Sequence, residues 1–231
     1  MRSHPPYADA VTVRMPLFPL GTVLFPGVPL PLHIFEERYR LLVRALMDLP
    51  EGTARTFGVV AIREGREVGA DGIRALHAVG CTAELRRVEA YDDGRFDIVT
   101  TGSTRFVVRD VDHSLPYLQA DVDLLAENPG HVTGVIEAVQ ELFTSYLDLL
   151  GKARNLPIDA PDLPDDSLLL SYLVAATMPL DLADKQRLLE APDAAARLRT
   201  EVNLLHREGR LLRVLSAVPS PDLIRTAWSL N

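Results

Sequence analysis

The chain has 231 residues, 47% of them hydrophobic, enough apolar material for one sizeable core or two small ones without covalent staples. A single cysteine, Cys81, excludes an intramolecular disulfide and any CxxC zinc site. The net charge of −8 disfavours a nonspecific phosphate-binding surface and makes nucleic acid a poor partner.

Residues 1–11, MRSHPPYADAV, lack the apolar stretch of a signal peptide, and the lone cysteine suits a reducing compartment, so a cytoplasmic protein is expected. Residues 15–39, MPLFPLGTVLFPGVPLPLHIFEERY, then set five prolines among apolar residues. Each ring fixes φ and removes a backbone donor, so this stretch is extended, with strands over 14–17 and 30–34. Phe25-Pro26-Gly27 supplies the turn between them, Pro26 pre-setting φ and Gly27 free to take positive φ. From 36 to 48 the texture becomes helical, because Tyr39, Leu42, Val43 and Leu46 recur on one face. Glu36 and Glu37 fall in its first turn, where the helix dipole favours negative charge.

FGVVAIR, residues 57–63, reads as a buried strand, and 64–72, with Gly65, Gly69 and Gly72, as a surface loop. No Gly-Lys-Ser/Thr ending follows those glycines, so they do not make a phosphate loop. Residues 78–88 and 95–101 flank Tyr91-Asp92-Asp93-Gly94, which predicts a hairpin with a tight primed turn. Gly102 predicts a second reversal before a strand over 105–111, and 117–125 alternates apolar and polar residues as a one-sided strand. Six or seven short strands and one helix suggest a small, partly closed barrel.

After Asn128-Pro129-Gly130 only helices are expected. The first covers 133–150 and is stopped by Gly151; residues 152–164, with three prolines, are a linker. Asp165 or Asp166 caps a helix over 167–177 that is apolar nearly all round and so central to a bundle. Asp181 caps a short helix to 190, and Asp193 opens a long one whose buried stripe is Leu198, Val202, Leu205, Leu212 and Leu215, with Gly209 as a kink. The longest apolar run, 168–178, is too short for the roughly 20 residues a bilayer span needs, so no membrane is a partner. The reading is an α+β fold: a β subdomain over 13–126 and a helical bundle over 127–231.

Catalysis finds no candidate. His33 and Glu36 are three apart but complete no metal shell, and His77, His113 and His131 have no serine elbow or cysteine partner. Asp92-Asp93 and Asp165-Asp166 belong to a turn and a cap, and Cys81, within AVGCTAEL, is a buried thiol. No metal and no cofactor are implied. Phe18, Leu24, Phe25, Phe35 and Tyr39 form the most site-like collection, since an extended apolar polypeptide needs an apolar surface to bind. The junction of barrel and bundle is the expected place for such a groove.

The run MPLFPLGTVLFPGVPLPLHIFEERYRLLVRAL resembles the opening of the Lon substrate-binding domain. VGCTAELRRVEAYDDGRFDIVTTGSTRFVVRDV is similar to that family's glycine-preceded strand, hairpin and arginine-containing return strand. PYLQADVDLL looks like the strand that closes its β part, and TMPLDLADKQRLLEAPDAAARL resembles its helical region. Several motifs in order, over roughly 15–208, are far more specific than any one alone. The resemblance implies a PUA-like, partly open β-barrel with one inserted helix, followed by an α-helical bundle. It also implies recognition of unfolded or apolar polypeptide segments, or of a protein partner such as a protease or chaperone. The ATPase and peptidase of full Lon do not carry over: there is no GxxxxGK[ST], and neither Lys152 nor Lys185 lies in a peptidase-like segment. RNA or nucleotide binding through the barrel is the alternative, on fold analogy alone, and an unrecognised hydrolase is a third reading. The oligomeric state is not set by the sequence.

Overall fold

The computed structural model describes residues 11–65, 73–156, 158 and 162–217. Residues 66–72 of the predicted loop, Pro157 and Pro161 of the predicted linker and the side chain of Leu215 lie outside them. Six strands come first: β1 (Thr12–Leu20), β2 (Pro29–Ile34), β3 (Thr56–Gly65), β4 (Ile73–Ala90), β5 (Phe96–Asp112) and β6 (Gln119–Leu124), with α1 (Glu37–Met47) inserted between β2 and β3. The helices α2 (Val135–Arg154), α3 (Ser167–Thr177), α4 (Leu182–Leu189) and α5 (Ala194–Ala217) follow.

β1 shows how a proline-rich segment enters a sheet. It pairs antiparallel with β6 over Thr12 to Pro16 and parallel with β3 over Leu17 to Leu20. Pro16 thus precedes the β3 ladder and Pro19 lies past the β6 ladder, so each missing N–H falls where the strand is bonded on one flank only. The predicted turn is present: Val28 N–H donates to Phe25 O at 3.2 Å, with Gly27 at φ 78°. α1 buries Tyr39, Leu42, Val43 and Leu46, the expected face.

The pairings β6–β1, β1–β3, β3–β4, β4–β5 and β5–β6 run full circle, while β2 stays outside on the first half of β5. The result is a six-stranded sheet that folds back on itself rather than a clean barrel. Met15, Leu17, Val60, Phe106, Ala120 and Val122 fill the ring. Gly58 and Gly80 are required there, because a Cβ at either would come within 2.8 Å or 2.4 Å of the Phe106 ring. A larger cluster joins α1 and the strands to the helices, from Phe18, Phe57 and Val59 to Phe143, Leu170, Val174 and Leu198.

Three local expectations need correction. The strands expected over 95–101 and 105–111 are one, β5, and Gly102 is no reversal. It exchanges hydrogen bonds with Gly27 and Val28, and an added Cβ would sit 2.1 Å from Phe25 O, so glycine there lets the turn dock on the strand. The hairpin after β4 has a three-residue loop rather than a primed turn: Gly94 N–H donates to Tyr91 O, Tyr91 N–H to Arg95 O, and only Gly94 has positive φ. Finally, α2 passes through Gly151 and ends at Asn155 in the left-handed region, where Leu156 N–H reaches back to Gly151 O at 3.0 Å.

Caps at Asp166 and Asp181 accept from Leu169 N–H and Asp184 N–H, and Asp193 accepts from Ala196 N–H, as predicted. α5 runs unbroken through Gly209. Gly94 offers a measurable check on the hairpin. Gly94→Ala should cost about 1–2 kcal/mol in chemical denaturation, from its positive φ of 81°. A Cβ there would also lie 2.1 Å from the Arg40 guanidinium, which now donates to Gly94 O.

Candidate functional site

The five apolar candidates divide. Phe18 and Tyr39 stack with centroids 3.9 Å apart and planes at 13°, and both are buried. They floor a groove of about 130 Å³ between β1, β2 and the start of α1, whose walls include Leu20, Leu32 and Ile34. Phe35 lies on its rim, 51% exposed. Leu24 and Phe25 face the interior instead, Phe25 placing its ring 6.3 Å from that of Tyr172 on α3. The junction of strands and helices, the place expected for a groove, is packed with this pair and with hydrogen bonds from Arg105 to Leu189 O and Ala191 O.

The β2–β5 register sets the rest of the rim by placing His33 opposite Asp97. The Asp97 carboxylate takes a hydrogen bond from the Tyr91 hydroxyl at 2.6 Å and meets His33 Nδ1 at 2.5 Å. Those two contacts, Tyr91 first, hold the carboxyl below its usual range, and Asp97 in turn raises the Tyr91 hydroxyl. His33 Nε2 faces the Arg95 guanidinium at 3.4 Å. The Phe35 ring lies 6.2 Å from that of His33, and Arg95 lies 5.8 Å over Tyr91. This is an aromatic rim with polar tips, suited to apolar side chains next to hydrogen-bonding backbone. Tyr91 and Asp97 were not candidates in the sequence, where they read as a turn flank and a polar strand position.

Cys81 is buried, and burial pushes its thiol up to about 12, so no thiolate forms at neutral pH. Among the described residues no three or more of His, Cys, Asp and Glu gather as a metal site, and no helix is long and apolar enough to cross a membrane.

Residues 14–207 match the family model of the ATP-dependent protease La (LON) substrate-binding domain, which makes the class a substrate-recognition module. The chain belongs to the Lon substrate-binding domain family. It is similar to Lon protease 2 of Herpetosiphon aurantiacus, at 30% identity over 196 residues, covering 82% of this chain and 23% of that protein. Lon protease of Cytophaga hutchinsonii is 26% identical over 216 residues, covering 87% and 25%. The chain therefore spans about a quarter of the length of these relatives. Among solved structures, a Lon N-terminal domain protein from Xanthomonas campestris superposes with a TM-score of 0.62 at 23% identity, covering 84% of this chain and 98% of that one. The N-terminal domain of Mycobacterium avium complex Lon protease gives 0.60 at 17%, with the same coverage. The two neighbours share the α+β fold.

Proposed function

We propose that the chain is a non-catalytic cytoplasmic recognition module that binds extended apolar segments of unfolded polypeptide, or such a segment on a protein partner of the protease or chaperone type. The observation that carries the reading is the half-exposed Phe35 on the rim of a recess floored by the buried, stacked Phe18 and Tyr39 rings. The family's substrate-binding role supports it. Nothing in the family match or the structural neighbours favours the nucleic-acid alternative.

Titration of the purified chain into fluorescein-labelled, reduced and carboxymethylated lactalbumin tests this. Saturable binding is expected, with the labelled polypeptide left intact. Binding that never saturates would remove the recognition claim, and cleavage would remove the non-catalytic one. Phe35→Ser should weaken binding roughly 5- to 30-fold, about 1–2 kcal/mol, while leaving the thermal melt in place because the ring contributes little to the core.

A further inference from the structure

A second cavity lies where the ring of strands splits. The β4–β5 ladder starts only at Val79 opposite Val107. Before that point β4 is bonded on one flank to β3, and beyond it β5 is bonded on one flank to β6. Register shifts mark both sides, three along the β3–β4 ladder between Val60 and Gly65 and one in β5 between Val108 and Asp110. Irregular pairing of this kind concentrates at barrel rims and beside functional sites. Two strand flanks without ladder partners among the described residues thus border a cavity of about 470 Å³, within the range of ligand sites.

Its lining is chemically one-sided. Among the described residues Arg38, Arg63, Arg74, His77 and His113 line it, and no Asp or Glu does. In a chain with 32 acidic residues against 24 arginines and lysines, that segregation is contrary to the average composition. Acidic neighbours stand behind some of these groups: Glu36 holds Arg38 at 2.9 Å, Glu64 lies 4.0 Å from Arg63, and Glu190 lies 3.9 Å from His77. Arg74 and His113 form no ion pair among the described residues. Between the basic groups, Leu76, Val108, Val111 and Leu118 give an apolar floor that continues into the cluster filling the ring.

Unpaired strand flanks suit a polypeptide backbone, an apolar floor suits apolar side chains, and a basic rim suits a carboxylate. We propose that this split takes an extended polypeptide segment in which an acidic residue adjoins apolar ones, its backbone between β4 and β5 and its carboxylate on Arg63 and Arg74. The inference rests on the polypeptide-recognition reading above and adds to it a second subsite with a charge preference.

The test uses the full chain and two fluorescein-labelled decapeptides, one alternating leucine, valine and glutamate, the other with every glutamate replaced by glutamine. The acidic peptide should bind roughly tenfold tighter than its glutamine twin, and R63E/R74E should abolish that difference. Arg63 is 60% exposed, so the double variant should keep its thermal melt, and Phe35→Ser should leave the preference intact. Equal binding of the two peptides by the unaltered chain overturns the inference, as does an undiminished preference in R63E/R74E. If labelled lactalbumin binds and the acidic peptide does not, the split fails and the groove reading stands; if neither binds, both fail. Salt-sensitive binding of a short RNA, lost in R63E/R74E and without peptide binding, would overturn the inference in favour of nucleic acid.

Discussion

Arg105→Ala should lower the stability of the chain by about 2–4 kcal/mol, the cost of taking a buried guanidinium away from two backbone carbonyls and a part-exposed carboxylate. The side chain rises from the middle of β5 and is 2% exposed. Its Nε donates to Glu127 Oε1 at 2.9 Å and Nη2 to Oε2 at 3.3 Å, a forked pair on one carboxylate. Nη1 donates to Leu189 O at 2.8 Å and Ala191 O at 2.6 Å, carbonyls at and just beyond the C-terminal end of α4, where the helix dipole favours a cation. One guanidinium therefore ties the sheet, the segment after β6 and the end of α4 together. Alanine would leave two buried carbonyls without their donor and a carboxylate, itself 26% exposed, without its partner. Arg105→Lys should recover only part of the loss, because an ammonium cannot fork onto the carboxylate while reaching both carbonyls. In the double variant with Glu127→Ala the losses should be less than additive, since the second change removes the stranded charge. Urea denaturation midpoints for the unaltered chain, Arg105→Ala, Arg105→Lys, Glu127→Ala and the double variant check this. A loss under about 1 kcal/mol for Arg105→Ala would mean the site relaxes and water takes the place of the guanidinium.

Features fixed by neighbouring residues were legible in the sequence. The Phe25 to Val28 turn, the buried face of α1 and the caps at Asp166, Asp181 and Asp193 each depend on chemistry within a few positions. What failed depends on the partner strand or helix. Gly102 reads as a reversal in the sequence, because a glycine between two apolar runs looks the same whether the chain turns or another backbone presses on it; only the approach of Phe25 O distinguishes them. Gly151 reads as a stop in the sequence, yet left-handed Asn155 one turn later ends α2. Among the site candidates, proline-fixed segments lack a regular alternation, so residue type alone could not separate Phe35 on the rim from Leu24 and Phe25 inside. Arg105, Arg197 and Glu201 were invisible for a related reason. Charged residues on a strand or helix read as solvated faces, and the contacts that bury these lie on other elements.

Glu201 gives the second large effect, and it depends on pH. It lies on α5 one turn after Arg197, 0% exposed, and neither carboxyl oxygen has a hydrogen-bond partner among the described residues. The Arg197 guanidinium is directed elsewhere, to Leu188 O at 2.9 Å, Ser171 Oγ at 2.9 Å and the Tyr172 hydroxyl at 3.1 Å, with its plane 4.0 Å over the Tyr172 ring. Burial raises the Glu201 carboxyl well above its ordinary 4.5, and the nearby Arg197 charge only partly opposes this, so the fold favours the protonated form. Below the ordinary value both folded and unfolded chains carry it and folding is unaffected. Above that value the unfolded chain releases the proton while the folded one keeps it, so stability falls as pH rises, by up to about 1.4 kcal/mol per pH unit, until the buried carboxyl itself titrates. The lowered carboxyls Asp93, Asp97, Asp112 and Asp123 act in the opposite sense and at lower pH, leaving the range from about pH 5 to pH 8 to report on Glu201. Glu201→Gln should flatten the decline across that range. Glu201→Leu should flatten it and, at about pH 8, also stabilise the chain by about 1–4 kcal/mol, since an apolar side chain of similar reach has no charge to keep out of water. Urea denaturation of the three proteins at about pH 5, 6.5 and 8 decides it: parallel slopes for the unaltered chain and Glu201→Gln would show that the carboxyl is ionised in the folded state, paired with Arg197 after all.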